Sequence, residues 1–154
     1  MVSVGKRVKD FSIPATGDQN LSLKDFNGRK LVIYFYPKDN TPGCTREGQE
    51  FRDVYDEFQA AGADILGVSR DSVRTHENFR SKHEFPFHLV SDKDETLCEI
   101  FDVIREKKLY GRTYMGIDRS TFLIDENGVL RQEWRKVRVP GHVEAVLEAV
   151  KSLA

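Results

Sequence analysis

Six consecutive apolar or aromatic residues, Leu31-Val32-Ile33-Tyr34-Phe35-Tyr36, run straight into a turn with two prolines and a glycine, Pro37-Lys38-Asp39-Asn40-Thr41-Pro42-Gly43. So short a run, rich in β-branched and aromatic side chains and without polar alternation, reads as a strand covered on both faces. It belongs at the centre of a parallel or mixed sheet. The turn ends the strand, and a helical pattern follows from Cys44, with Phe51, Val54, Tyr55 and Phe58 on one side and Gly62 as a stop. Cys44 is therefore predicted in the first turn of a helix at the carboxyl end of a buried strand.

The rest of the chain fits an α/β sheet with helices on both faces. Phe11 and Ile13, then Leu21 and Leu23 across Thr16-Gly17-Asp18-Gln19-Asn20, predict a short hairpin. Ile65-Leu66-Gly67-Val68 and Phe85-Pro86-Phe87-His88-Leu89-Val90 read as two further strands, with a Ser72-capped helix carrying Val73, His76 and Phe79 between them. Asp92 or Asp94 caps a helix with Leu97, Ile100, Phe101 and Ile104 inward. From Arg105 to Gly116 the pattern lapses into a basic loop. Ser120 to Asp125 and Val129 to Val137 flank the turn Glu126-Asn127-Gly128, and a last helix from about Gly141 turns Val143, Val146, Leu147 and Val150 inward.

The 154 residues suffice for one domain with a real core. With 39% hydrophobic residues, 32% charged residues and a net charge of -1, the chain reads as neither disordered nor a general nucleic-acid binder. The amino terminus has no apolar stretch after its charges, and the longest apolar run is far short of a membrane span. A cytoplasmic protein without membrane attachment is expected. The two cysteines, Cys44 and Cys98, match no metal spacing and no Cys-x-x-Cys pair, so in a reducing compartment they read as thiols.

Chemistry concentrates on Cys44. An unperturbed thiol is only about 3% ionised at pH 7, whereas the free N–H groups and positive dipole end of a helix favour the thiolate. Pro37 and Pro42 stiffen the loop and leave its remaining N–H groups free for a ligand. The plainer alternative is a small buried hydrophobe, the commoner fate of an intracellular cysteine.

The spacing Pro37-x-x-x-Thr41-x-x-Cys44, after a strand ending in Phe-Tyr-Pro, resembles the active-site signature of the peroxiredoxins. The fuller text Tyr36-Pro37-Lys38-Asp39-Asn40-Thr41-Pro42-Gly43-Cys44-Thr45 is most similar to their bacterioferritin-comigratory, or Q-type, branch. The likeness continues through Ile65 to Ser72 and Arg119 to Asp125 as far as Val139-Pro140-Gly141-His142, nearly the whole chain. It implies a single thioredoxin-like domain over residues 1–154, a central mixed β-sheet flanked by helices with an N-terminal β-hairpin extension. The implied activity is thiol-dependent reduction of hydrogen peroxide and organic hydroperoxides, without metal or bound organic cofactor. Cys44 would attack one peroxide oxygen and become a sulfenic acid. Arg119 would sit beside the thiolate and stabilise charge on the departing oxygen, Thr41 would hydrogen-bond the peroxide, and Pro37 would shield the site. The N–H groups of Gly43 and Cys44 would complete the pocket, and Phe51 would wall it.

The resemblance also exposes a departure. The two positions where Q-type members carry a resolving cysteine hold Gln49 and Arg80 here, and Cys98 reads as a packed structural thiol. A one-cysteine cycle follows, completed by an external thiol such as thioredoxin, glutaredoxin or glutathione. A monomer is expected, a dimer being the alternative. The rival is a thioredoxin-fold redox sensor, in which Cys44 is oxidised as a signal. Among the histidines, His76 and His83 read as helix-surface residues, and Trp134 as cover for a sheet face.

Overall fold

The computed structural model describes residues 2–153. Strands β1 (Ser12–Ala15) and β2 (Gln19–Ser22) form the N-terminal hairpin, followed by a 3-10 turn over Leu23–Phe26. Next come β3 (Lys30–Phe35), α1 (Pro42–Asp53), α2 (Tyr55–Ala60), β4 (Ala63–Ser69), α3 (Val73–His83), β5 (His88–Ser91) and α4 (Thr96–Phe101). The chain continues with β6 (Ile104–Leu109), β7 (Arg112–Ile117), β8 (Ser120–Ile124), β9 (Leu130–Trp134) and α5 (His142–Ser152). Seven strands make one mixed sheet in the order β2-β1-β5-β4-β3-β8-β9. Within it β3, β4 and β5 run parallel, while β1, β8 and β9 are antiparallel to their neighbours. This is the α/β, thioredoxin-like arrangement expected, with β3 at its centre and the hairpin added at one edge.

Alternation along β3 divides the core. Leu31, Ile33 and Phe35 point to one side, where they meet Leu97, Cys98 and Phe101 of α4. Val32, Tyr34 and Tyr36 point to the other, where they meet Cys44 and Phe51 of α1, Phe58 of α2, Phe79 of α3 and Val146 and Val150 of α5. Each face is thus sealed by its own helices, which is why the run at 31–36 carries no polar residue.

Four local expectations change. The helix predicted from Cys44 to Gly62 is two helices, broken at Val54 (φ −116°, ψ 16°). The break lets Phe51 and Phe58 both bury completely while Val54 and Tyr55 stay half covered. The strand predicted from Phe85 begins only at His88, because Glu84 adopts a left-handed conformation (φ 54°) and Pro86 has no N–H for a ladder. Phe85 and Phe87 are buried all the same, and the Phe85 ring lies directly against Gly48 of α1, where any Cβ would strike it. The helix after Asp92 stops at Phe101, since Asp102 (φ 54°) turns the chain and Ile104 opens β6. The stretch read as a basic loop is the β6–β7 hairpin. Its turn, Tyr110-Gly111, has both residues at positive φ (50° and 77°), the pairing that closes a two-residue hairpin.

Glu95 (φ 61°) holds the N-cap position of α4 without a side-chain cap, and the first amides are satisfied from upstream by Asp92, not Asp94. The buried Asp92 carboxylate accepts from Leu97 N at 3.0 Å and Cys98 N at 2.8 Å. Asp92→Ala leaves both amides without a partner in a dry environment, and the unfolding free energy should fall by about 1–2 kcal/mol. Urea denaturation measures this, and an unchanged midpoint would show that these bonds contribute nothing.

Candidate active site

Thr41 is the N-cap of α1 and Pro42 its first residue, which places Cys44 in the first turn as expected. The earliest backbone bond into this helix runs from Thr45 N to Thr41 O. Among the described residues the N–H groups of Gly43 and Cys44 have no acceptor, so two donors beside the sulfur remain free for a ligand oxygen. Cys44 itself is 2% exposed.

Arg119 arrives from across the sheet. It precedes β8, which pairs with β3, and its carbonyl accepts from Val137 N at 2.9 Å. Its Nη2 donates to Cys44 Sγ at 3.4 Å and its Nη1 to Glu47 Oε1 at 2.6 Å. Burial works against the Arg119 charge, but Glu47 and Cys44 outweigh it and make the guanidinium more basic than usual. A charged donor is thus aimed at the sulfur. The approach needs a glycine: a Cβ at Gly43 would lie 3.2 Å from Arg119 Nη2.

Glu47 is the residue the sequence reading missed. It lies one helical turn after Cys44, on the same face of α1, and is fully buried. Its Oε2 has no protein partner among the described residues. Burial pushes its carboxyl up to about 7, and the Arg119 ion pair only partly offsets this. His142 packs nearby. Burial, and after it Arg119, lowers its ring to about 4, so the neutral ring faces Thr121 Oγ1 at 2.8 Å.

A second buried cluster holds the active-site loop from below. Asp39, between Pro37 and Thr41, accepts from the Tyr36 hydroxyl at 2.7 Å and meets His76 Nδ1 at 2.7 Å. The other ring nitrogen of His76 lies 2.9 Å from the Val90 carbonyl, which can only accept, so Nε2 carries hydrogen. The Asp39 amide donates to Asp71 Oδ2 at 2.9 Å. His76 is thus wholly buried, contrary to its expected place on the helix surface. Its spacing of three from Phe79 turns it inward, and these polar partners satisfy it.

Thr41 Oγ1 donates to Lys38 O at 2.8 Å, which consumes the hydroxyl proton within the loop and leaves its lone pairs as acceptors. Pro37 lies half-buried where the loop leaves β3. Phe51 is 0% exposed and stacks on Tyr34 with ring centroids 4.6 Å apart. It supports α1 from inside the core and offers no face to a ligand. Cys98 is 1% exposed in the core on the opposite face of β3, where burial and then Asp92 push its thiol well up.

The chain matches the AhpC/TSA family over residues 4–133. It is 54% identical over 145 residues to peroxiredoxin Bcp of Xanthomonas campestris pv. campestris, spanning 94% of this chain and 91% of that one. A solved structure of the Xanthomonas campestris bacterioferritin comigratory protein, studied for its alkyl peroxide reduction activity, superposes with a TM-score of 0.88 at 54% identity, over 92% of this chain and 90% of that one. A cysteine variant of Xylella fastidiosa PrxQ does so with a TM-score of 0.94 at 44% identity, over 99% and 97%.

Two outcomes follow from this geometry. A carboxyl held at about 7 in the fold, against an ordinary 4.5, binds its proton more tightly when folded. Its stabilisation is complete below the ordinary value and is lost as pH rises through the folded one. Glu47→Gln cannot titrate, so between about pH 5 and about pH 8 its stability should fall less than the wild type's, by at most about 3 kcal/mol. Urea unfolding of both proteins at the two pH values decides, and parallel slopes would remove Glu47 as the cause. In His76→Leu the Asn40 and Thr41 amides should exchange faster, and oxidation of Cys44 by peroxide should slow roughly tenfold. Unchanged exchange would mean that the loop is held by other contacts.

Proposed function

Because this chain belongs to the AhpC/TSA family and is a thiol-dependent peroxidase of the peroxiredoxin class, we propose that Cys44 is its peroxidatic nucleophile and that it turns over by a one-cysteine cycle. The observation that carries this reading is the shared guanidinium, 3.4 Å from the Cys44 sulfur and 2.6 Å from a buried carboxylate.

The Cys44 thiolate attacks one oxygen of a hydroperoxide, forming an S–O bond as the O–O bond breaks. The electron pair of that bond goes to the departing oxygen, which takes up a proton and leaves as water or an alcohol. Arg119 and the free N–H groups of Gly43 and Cys44 stabilise the charge that develops on oxygen, the work of a preorganised donor set. Thr41, its own proton committed to Lys38, accepts the peroxide O–H and orients it. Pro37 shapes and shields the loop. Hydrogen peroxide and organic hydroperoxides are the substrates, in line with the alkyl peroxide reduction of the Xanthomonas relative.

An external thiol then attacks the sulfenic sulfur and expels water, giving a mixed disulfide, and a second thiol releases Cys44. The separation of Cys44 and Cys98 on opposite faces of β3 supports this external route. Since Cys44 is 2% exposed, the first turn of α1 has to open for any thiol larger than a peroxide to reach it. A monomeric, single-domain enzyme in the reducing cytoplasm completes the proposal. Both cysteines stand as free thiols, the state that compartment maintains, and no helix among the described residues is long and apolar enough to cross a membrane.

Peroxide consumption with a panel of thiols tests the proposal. Cys44→Ser should abolish it, and Arg119→Ala should lower it about 10²–10³-fold. After one equivalent of peroxide, peptide mapping should find sulfenic acid on Cys44. A Cys44–Cys98 disulfide as the main product would refute the one-cysteine cycle. Turnover with at least one thiol also sets the enzyme apart from a stoichiometric sensor.

A further inference from the structure

Among the described residues the β6–β7 hairpin pairs with no other strand, and so small a two-stranded unit is marginal by itself. Anchors at its base hold it. Asp118 N donates to Val103 O at 2.8 Å, Lys107 Nζ to the Ile117 carbonyl, and Arg70 Nη2 to the Met115 carbonyl at 3.2 Å. The outer part stands in solvent: Leu109 is 56% exposed, Tyr114 47% and Tyr110, at the tip, 96%.

Register sorts its side chains. Arg105, Lys107 and Leu109 lie opposite Gly116, Tyr114 and Arg112, so these six share one face. That face carries three cations, two exposed apolar side chains and no carboxylate. The opposite face mixes Glu106 and Lys108 with Thr113 and Met115. Arg105 pairs with Asp102 at 3.2 Å, while among the described residues Arg112 forms no salt bridge. Exposed apolar groups beside the unpaired, exposed Arg112 mark an interaction surface, here one for a partner that offers an acidic group.

Its place in the chain says what the partner does. β7 ends at Ile117, two residues before Arg119, the residue that touches Cys44. Lys107, on the cationic face, lies close enough for the Asp118, Arg119 and Cys44 charges to act on it, although its own burial is the largest influence. The hairpin thus runs directly into the residue that touches Cys44, whose oxidised sulfur under the peroxidase reading above needs a thiol from outside. Six-residue strands extend about 20 Å, a footprint that suits a folded protein and exceeds a tripeptide thiol.

We infer that the Arg105-Lys107-Leu109-Arg112-Tyr114 face of the hairpin docks a small protein dithiol, one with apolar and acidic groups around its reactive cysteine, and so delivers that thiol to Cys44. The partner thiolate attacks the sulfenic sulfur, the S–O bond breaks and water leaves. Its second thiol then attacks the mixed disulfide, so the partner leaves oxidised and Cys44 leaves reduced.

The test uses the full chain with thioredoxin, glutaredoxin, glutathione and dithiothreitol as reductants, and variants Arg112→Glu, Tyr114→Ser and, on the opposite face, Lys108→Glu. Arg112→Glu and Tyr114→Ser should lower kcat/KM for thioredoxin or glutaredoxin at least about tenfold. They should leave sulfenic acid formation and dithiothreitol turnover within about twofold. Lys108→Glu should change the protein reductants by less than about twofold, and added salt should slow the wild type more than Arg112→Glu. Equal effects on both faces, or none, overturn the inference. So does recycling of the wild type by dithiothreitol or glutathione but by neither protein. A change in self-association by Arg112→Glu in sedimentation, with reductant kinetics intact, assigns the face to a second copy and also overturns it. Failure of wild-type Cys44 to form a sulfenic acid at all would instead strike the peroxidase reading, so the two failures remain distinct.

Discussion

One half-buried guanidinium bridges a sulfur and a carboxyl. Arg119 binds the Cys44 sulfur with one nitrogen and the Glu47 carboxylate with the other, and its side chain is only 16% exposed. At about 4 Å and an effective dielectric near 20, a unit charge pair interacts by about 4 kcal/mol, so the Glu47 contact is no minor one. Glu47 holds the guanidinium in place and also competes with the sulfur for its charge. Burial moderates the competition by pushing the carboxyl up to about 7, where a proton can reduce its claim on Arg119. The guanidinium is thus shared between the Cys44 sulfur and the Glu47 carboxyl, and neither has it alone.

The fold supplies that balance from two directions. β3 and β8 are neighbours in the sheet, so the loop leaving β3 and the arginine entering β8 meet at the same end. The loop itself is pinned by Asp39, which joins Tyr36 and His76, and by its amide on Asp71. Asn40 takes a left-handed conformation (φ 66°) directly before Thr41. A non-glycine residue there persists only where its surroundings over-determine it. The polar cluster beneath the loop supplies such surroundings.

The centre of the molecule was legible in the sequence because it rests on local rules. An unbroken apolar run gives a strand covered twice, and Pro42 at the first helical position fixes where α1 begins. Glu47 escaped notice because a glutamate among Arg46, Glu50 and Arg52 reads as a solvated helix face, and only the approach of Arg119 from a distant strand shows otherwise. His76 carried a real signal, its spacing from Phe79, but a buried imidazole needs acceptors, and Asp39 and the Val90 carbonyl come from elsewhere in the chain. The β6–β7 hairpin escaped for a different reason. Neither of its faces is fully buried, so Arg105-Glu106-Lys107-Lys108 carries none of the alternation that marks a strand packed on one side.

Strand parity places Cys44 and Cys98 in different cores. Residues of β3 alternate between two cores, and α1 covers one while α4 covers the other, so Cys44 and Cys98 belong to different compartments of the same sheet. A shift of β3 by one residue would turn every large side chain to the wrong face, which makes this separation as robust as the core itself. Asp92 strengthens it by holding the amides of Leu97 and Cys98, so that reaching across the sheet would cost these bonds as well as the packing. Opening the first turn of α1 is the easier movement. That turn has one backbone bond at its start, from Thr45 to Thr41, and its other early donors are free.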